Sequence, residues 1–164
     1  EGRTKSEYYA GMSARSYRKA IDDMVEGREF NQQNLKDLLA LSNRSYTTGF
    51  YTRNPREYGE NYHDSRSKEL THKAVGMNLC YEKEEGLLSF ELKNRLEKDT
   101  EIEIISPSGT QFHQVAELIN AKGNSVEVAH GGTGRCAIPW QSDPGEFAII
   151  RRRLYPQELA TVLD

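Results

Sequence analysis

EGRTKSEYYAGMSARSYRKAIDDMVEG, residues 1–27, poses the question that decides the fold. Thr4-Lys-Ser-Glu7 fits a capping box, and Ser6 is an alternative N-cap. Tyr9, Met12, Ser13, Tyr17, Ala20, Ile21 and Met24 then recur at helical spacing, and Gly27 stands where a left-handed C-terminal residue belongs. The pattern predicts a helix over residues 6–26. Its stripe of Tyr, Ala and Met suits packing against another large surface better than building an independent core. The expectation is therefore a helix that lies against a larger body preceding Glu1, with the working centre in that body.

Outward from this helix, a second one is expected over 32–42, starting near Asn31 and burying Leu35, Leu38, Leu39 and Leu41. Residues 43–72 are polar and studded with Tyr, contain Gly49, Pro55 and Gly59, and keep no period of 3.6 or 2. From Lys73 the pattern changes to short runs: KAVGMNLCYE, GLLSFELKN, TEIEIIS, QFHQVAELIN, SVEVAHG, GRCAIPW and EFAIIRRR. Turn signals at Ser106-Pro-Ser-Gly109, Ala121-Lys-Gly123 and Asp143-Pro-Gly145 separate several of them. Such runs predict an antiparallel barrel or a compact sandwich, and a barrel removes exposed edges. The division expected is α+β: a helical segment over 1–53, a linker over 54–72, a small β-barrel over 73–155 and a weakly helical tail over 156–164.

Composition narrows the function classes. Of 164 residues, 36% are hydrophobic and 29% charged, enough for a modest core. No apolar run of membrane-spanning length and no signal pattern occurs, so the expectation is a cytoplasmic chain with no membrane partner and two reduced thiols, Cys80 and Cys136. Residues 1–53 carry nine Lys/Arg against seven Asp/Glu, a balance of +2, whereas residues 54–164 carry 13 against 18, a balance of −5. Anion binding therefore belongs mainly to the first third. Arg151, Arg152 and Arg153 are an exception, read either as a solvated strand end or as contacts to RNA phosphates.

No catalytic set emerges. The four histidines, His63, His72, His113 and His130, form no metal-ligand pattern, so no metal site is expected. His130-Gly-Gly-Thr-Gly134 lacks the Lys-Ser/Thr of a P-loop and reads as a loop between strands. Glu82, Glu84 and Glu85 read as a charged turn. The chain's ends are more suggestive. Glu1-Gly-Arg3 before a capped helix looks like the close of a barrel strand and its βα loop, where such barrels bind anions. Arg3 and Lys5 flank the helix N-terminus, placed either for anion capture or for solubility. Asn43-Arg44-Ser45-Tyr46-Thr47-Thr48-Gly49-Phe50-Tyr51 gathers a guanidinium, hydroxyls, a turn glycine and aromatics. It suits stacking on a base and holding a phosphate, or docking a helix pair.

EGRTKSEYY and the later NRSYTTGF together resemble motifs of the collagenase-like peptidases, peptidase family U32, and the resemblance covers nearly the whole chain. It implies that residues 1–53 complete a TIM-type barrel lying before Glu1. It also implies that the strand-rich part is a small barrel similar to the second domain of translation elongation factors. Members of the family are associated with prephenate-dependent 5-hydroxylation of the tRNA wobble uridine, and others with ribosomal RNA and ubiquinone synthesis. The redox members are linked to an iron–sulfur cluster on four cysteines that neither Cys80 nor Cys136 matches.

Carried over by position, Arg3 and Lys5 fall on the first motif, and Arg44, Thr48, Gly49 and Phe50 on the second. The resemblance makes these six the expected substrate or anion contacts. Ser45 stands where the family has Gly, and a Cβ there restricts the loop. The resulting expectation is a non-catalytic C-terminal region that helps position tRNA for a barrel holding the cluster and prephenate. The alternatives are a protease whose catalytic residues lie before Glu1, and a module that docks a partner.

Overall fold

In the computed structural model, residues 5–43, 46, 50, 51 and 71–158 are described. They divide into two compact units, one spanning 1–71 with 154–164 and the other His72–Arg153. Among the described residues no helix is long and apolar enough to cross a membrane.

The first unit is built on two helices, α1 (Glu7–Val25) and α2 (Gln32–Leu39). Ser6 is the N-cap of α1 and accepts from the Tyr9 amide at 3.2 Å. At the other end Gly27 turns left-handed at φ 69°, and the Arg28 and Gly27 amides bond Asp23 O and Met24 O. This pair of bonds is a Schellman ending, which glycine permits without Cβ strain. α2 starts from an Asn31 cap on the Gln33 amide.

Packing of the pair differs from the sequence pattern. On α1 the buried residues are Tyr8, Met12 and Ser16, while Tyr17, Ile21 and Met24 are exposed. On α2 the buried residues are Asn34 and Asp37, while Leu35 and Leu39 are exposed. The reason is an ion pair. Arg15 Nη1 meets Asp37 Oδ2 at 3.3 Å with both side chains at least nine-tenths covered, and Gln33 Nε2 donates to Asp37 Oδ1 at 3.1 Å. A carboxylate and a guanidinium that leave water together must keep each other's company. That rotates the polar stripe of α2 toward α1 and Leu35 and Leu39 outward, while Leu38 is half-buried and Leu41, just past the helix, is buried as expected.

The second unit contains β1 (His72–Glu82), β2 (Leu87–Leu92), β3 (Leu96–Glu97), β4 (Glu101–Ser106), β5 (Gly109–Gln114), β6 (Val128–Ala129), β7 (Arg135–Pro139) and β8 (Ile149–Arg153). Six strands form one antiparallel sheet in the order β5-β4-β8-β1-β2-β7, and β3 pairs with β6. The expected barrel is thus not closed, because the ladder has two edges, β5 and β7. His113 of β5 stacks edge-on against Trp140, just past β7, with centroids 5.0 Å apart, and Ile119, in the segment after β5, makes an isolated bridge with Ala137 of β7. Two bulges bend β1, one with Asn78 at φ 52°, and they curl the sheet around a core of Val75, Leu88, Phe90, Ile102, Ile138 and Ile150. Glu84 and Glu85 lie in the β1–β2 turn, as the charge pattern predicted.

The glycine-rich 130–134 segment is a packed turn. Gly132 N donates to Leu92 O at 3.1 Å, and Leu92 N donates to Gly134 O at 3.2 Å. A Cβ on Gly131 would stand 2.2 Å from Lys93 O, so the backbones touch there because Gly131 has no side chain. Gly131→Ala is expected to cost about 1–3 kcal/mol, the usual range for overpacking, read as a lower urea midpoint with an unchanged m-value. An unshifted midpoint would mean the loop relaxes freely.

Candidate functional site

Lys5 of the first motif lies 37 residues before Ser42, the residue just ahead of the second motif, and the fold joins them. Lys5 Nζ donates to Ser42 O at 3.0 Å and sits 4.7 Å from the centroid of the Tyr9 ring, within cation–π range. Asn43 Nδ2 donates to Leu41 O at 2.7 Å and to Leu39 O at 3.3 Å. Tyr46 Oη donates to Leu38 O at 3.2 Å. The Tyr46 hydroxyl is pushed up to about 12, first by burial, then by Tyr9 and Tyr17 beside it. It therefore remains a proton donor at any physiological pH.

The second motif thus shows a docking function for Asn43 and Tyr46. Phe50, by contrast, is 71% exposed. Arg3, Arg44, Thr48 and Gly49, together with the Ser45 departure, lie outside the described residues.

The arginine run at the end of β8 is not one surface. Arg151 is buried, and its Nε and Nη2 meet Glu103 Oε2 at 2.9 and 2.7 Å. His72 Nε2 lies 3.0 Å from the other carboxylate oxygen of Glu103. Arg152 is 1% exposed and donates from Nε to Arg95 O and from Nη1 to Arg153 O. The expectation of three solvated arginines holds for Arg153 alone. Nothing local in EIEIIS marks Glu103 as buried. The signal is cross-strand, since the register sets Glu103 opposite Arg151, and register is not visible in a single strand.

The family model described as Peptidase family U32 matches residues 1–61, and the one described as Peptidase family U32 C-terminal domain matches residues 71–151. The chain belongs to peptidase family U32. Among U32 relatives, the tRNA hydroxylation protein P of Escherichia coli (strain K12) is 34% identical over 153 residues, which are 93% of this chain and 34% of that protein. The tRNA hydroxylation protein P of Haemophilus influenzae is 33% identical over 131 residues, 80% of this chain and 28% of that protein. The chain therefore spans about a third of the length of these relatives. The crystal structure of the C-terminal domain of a Geobacillus thermoleovorans U32 protein is similar at a TM-score of 0.44 and 15% identity, covering 51% of this chain and 93% of that one.

The U32 chain's Glu103 offers a direct measurement. Burial alone raises its pKa, but the hydrogen bond with His72 and the charge and hydrogen bonds of Arg151 outweigh burial and hold it down at about 2. A carboxyl depressed on folding adds stability above its unfolded pKa of about 4.3, and that stability is lost as pH falls toward the folded value. Glu103→Gln is expected to destabilise by about 3 kcal/mol at pH 7, because Arg151 is left buried without its counter-charge. The gap between variant and unsubstituted protein narrows from pH 4.5 down to about 2. Denaturant titrations at pH 7, 4 and 2.5 check this, and a pH-independent gap would contradict it.

Proposed function

We propose that this chain is the C-terminal region of a U32 protein acting in 5-hydroxylation of the tRNA wobble uridine. In this reading it presents an anion-binding end at the start of α1 and helps position the RNA. The observation that carries the reading is alignment over 93% and 80% of the chain with two proteins named for tRNA hydroxylation. The joining of Lys5 to Ser42 supports it, because it brings the first motif beside the residue that precedes the second.

The anion contacts in this reading are Arg3, Lys5, Arg44, Thr48, Gly49 and Phe50, and the anion is prephenate or an RNA phosphate. Guanidinium groups suit both, since their planar fork matches carboxylate and phosphate alike.

The residues of this chain do not fit an iron–sulfur cluster. Four thiolates are required, and the sequence has two cysteines, Cys136 in the sheet core and Cys80 exposed. Among the described residues no group of three or more His, Cys, Asp or Glu is arranged to hold a metal. The redox chemistry and its cluster are accordingly proposed for a TIM-type barrel elsewhere in the same polypeptide, in the cytoplasm. The family's description as a peptidase favours a second reading, a protease with its catalytic residues elsewhere.

Mass spectrometry of tRNA hydrolysates separates the two. In cells deleted for the gene, the full-length protein is expected to restore the hydroxylated wobble uridine, and Arg44→Ala to lower it about tenfold, the effect of losing one charge-assisted hydrogen bond. Release of peptides with no change in tRNA would favour the protease. For the RNA grip, Arg153→Ala is expected to reduce the salt slope of tRNA binding by about one, as one phosphate contact does. Arg151→Ala and Arg152→Ala act on folding stability instead. A slope unmoved by Arg153→Ala would take β8 out of the RNA interface.

A further inference from the structure

A sheet edge leaves a row of backbone donors and acceptors open to pairing, and folded proteins blunt such edges with charge, proline, bulges or a covering segment. The two edges of the six-stranded sheet differ in this respect. On β7, Ala137 exchanges two backbone bonds of 2.9 Å with Ile119, Arg135 opens the strand and Pro139 closes it. On β5 none of these devices occurs. Gly109–Gln114 reads GTQFHQ, with no proline and no Lys, Arg, Asp or Glu, and it pairs with β4 through six consecutive residues without a bulge. Burial lowers the pKa of His113, its one titratable group. Thr110, Gln111, Phe112 and Gln114 are exposed, Phe112 at 66%. His113 stands opposite Ile102 and meets Trp140 on the core side, whereas Phe112 stands opposite Glu103 on the other side of the strand.

We infer that β5 is an association edge, and that it takes β5 of a second copy of this chain, antiparallel, about a twofold axis at Phe112. The composition of the strand selects this occupant. An uncharged edge offers a charged peptide no counter-charge, but it meets its own copy without like-charge repulsion. A twofold axis normal to the sheet keeps every side chain on its own side, so residues of the same parity face each other. About Phe112 this sets Phe112 against Phe112, Gln111 against His113 and Thr110 against Gln114, an aromatic pair flanked by pairs able to hydrogen-bond. The edge is about 20 Å long. Alone it covers less than the roughly 800 Å² per partner of a standard interface, so the association is weak and reversible.

The test uses the full-length protein. Sedimentation over a wide range of concentration is expected to show a monomer–dimer equilibrium. Phe112→Lys is expected to weaken it about tenfold, the scale of losing one cross-strand aromatic pair and adding a like-charge pair, with the urea midpoint unchanged. Phe147→Lys, which alters a phenylalanine 82% exposed outside the ladder, is expected to leave the equilibrium as it was.

Cross-linking reads the register. In a Cys80→Ser background, which removes the exposed thiol of this chain, Phe112→Cys is expected to add a disulfide-linked dimer on mild oxidation, since directly opposed residues lie within disulfide reach. Gln111→Cys is expected to add none, because Gln111 faces His113. A protein that stays monomeric, association that Phe112→Lys leaves untouched, or cross-linking through Gln111→Cys overturns the inference. Slow hydrogen exchange of the β5 amides in a monomer overturns it as well, since another part of the polypeptide then covers the strand.

Discussion

The ends of helices constrain this molecule more than its helical interiors do. α1 closes on Gly27, a residue able to turn left-handed without strain, so its ending is self-contained. α2 has only eight residues and no such glycine; Tyr46 Oη and Asn43 Nδ2 add to Leu38 O and Leu39 O, and just past the helix Leu41 O and Ser42 O take Asn43 Nδ2 and Lys5 Nζ. Those donors come from both motif regions. They add to a backbone ending already in place, Ala40 N on Lys36 O and Leu41 N on Leu38 O.

The Arg15–Asp37 pair imposes the next constraint. It turns the polar side of α2 inward and leaves Leu35 and Leu39 at the surface, and Tyr17, Ile21 and Met24 of α1 are exposed as well. An isolated helix pair gains most by burying its leucines, so this orientation runs against the hydrophobic effect within the pair. It is favoured only where the apolar side has another use. An exposed apolar face is consistent with a helix pair made to lie against a larger body, the role proposed for it within a U32 protein.

Features of short range were legible in the sequence. Ser6, Gly27 and Asn31 carry cap chemistry within three or four residues, and the alternation in 73–153 with its turn residues announces hairpins. What the sequence did not reveal is set by register. Whether Tyr8 or Tyr9 faces inward depends on where α2 crosses, and the pairing of Glu103 with Arg151 joins residues 48 apart. The open ladder in place of a barrel has the same origin. Closure depends on whether β5 pairs with β7; instead His113 stacks on Trp140 and the segment after β5 bridges β7 at Ile119. At the candidate site, the residue types of the second motif suited either ligand binding or docking. Only the geometry of the α2 end assigned Asn43 and Tyr46 to docking.

The distribution of cations bears on how such a chain can serve RNA chemistry. Arg15 faces Asp37, Arg151 faces Glu103, Arg152 is enclosed by backbone carbonyls, and Arg135 donates to Asn78 O and Ser89 Oγ. A guanidinium paired with a carboxylate in a covered site projects little field, because the pair is neutral as a whole and its nearest carbonyls and carboxylates screen it. With a net charge of −3, the chain carries no overall excess of cations for the counterion-releasing grip of nucleic-acid binding. In the proposed role its part would be the orientation of a few phosphate or carboxylate contacts rather than bulk attraction.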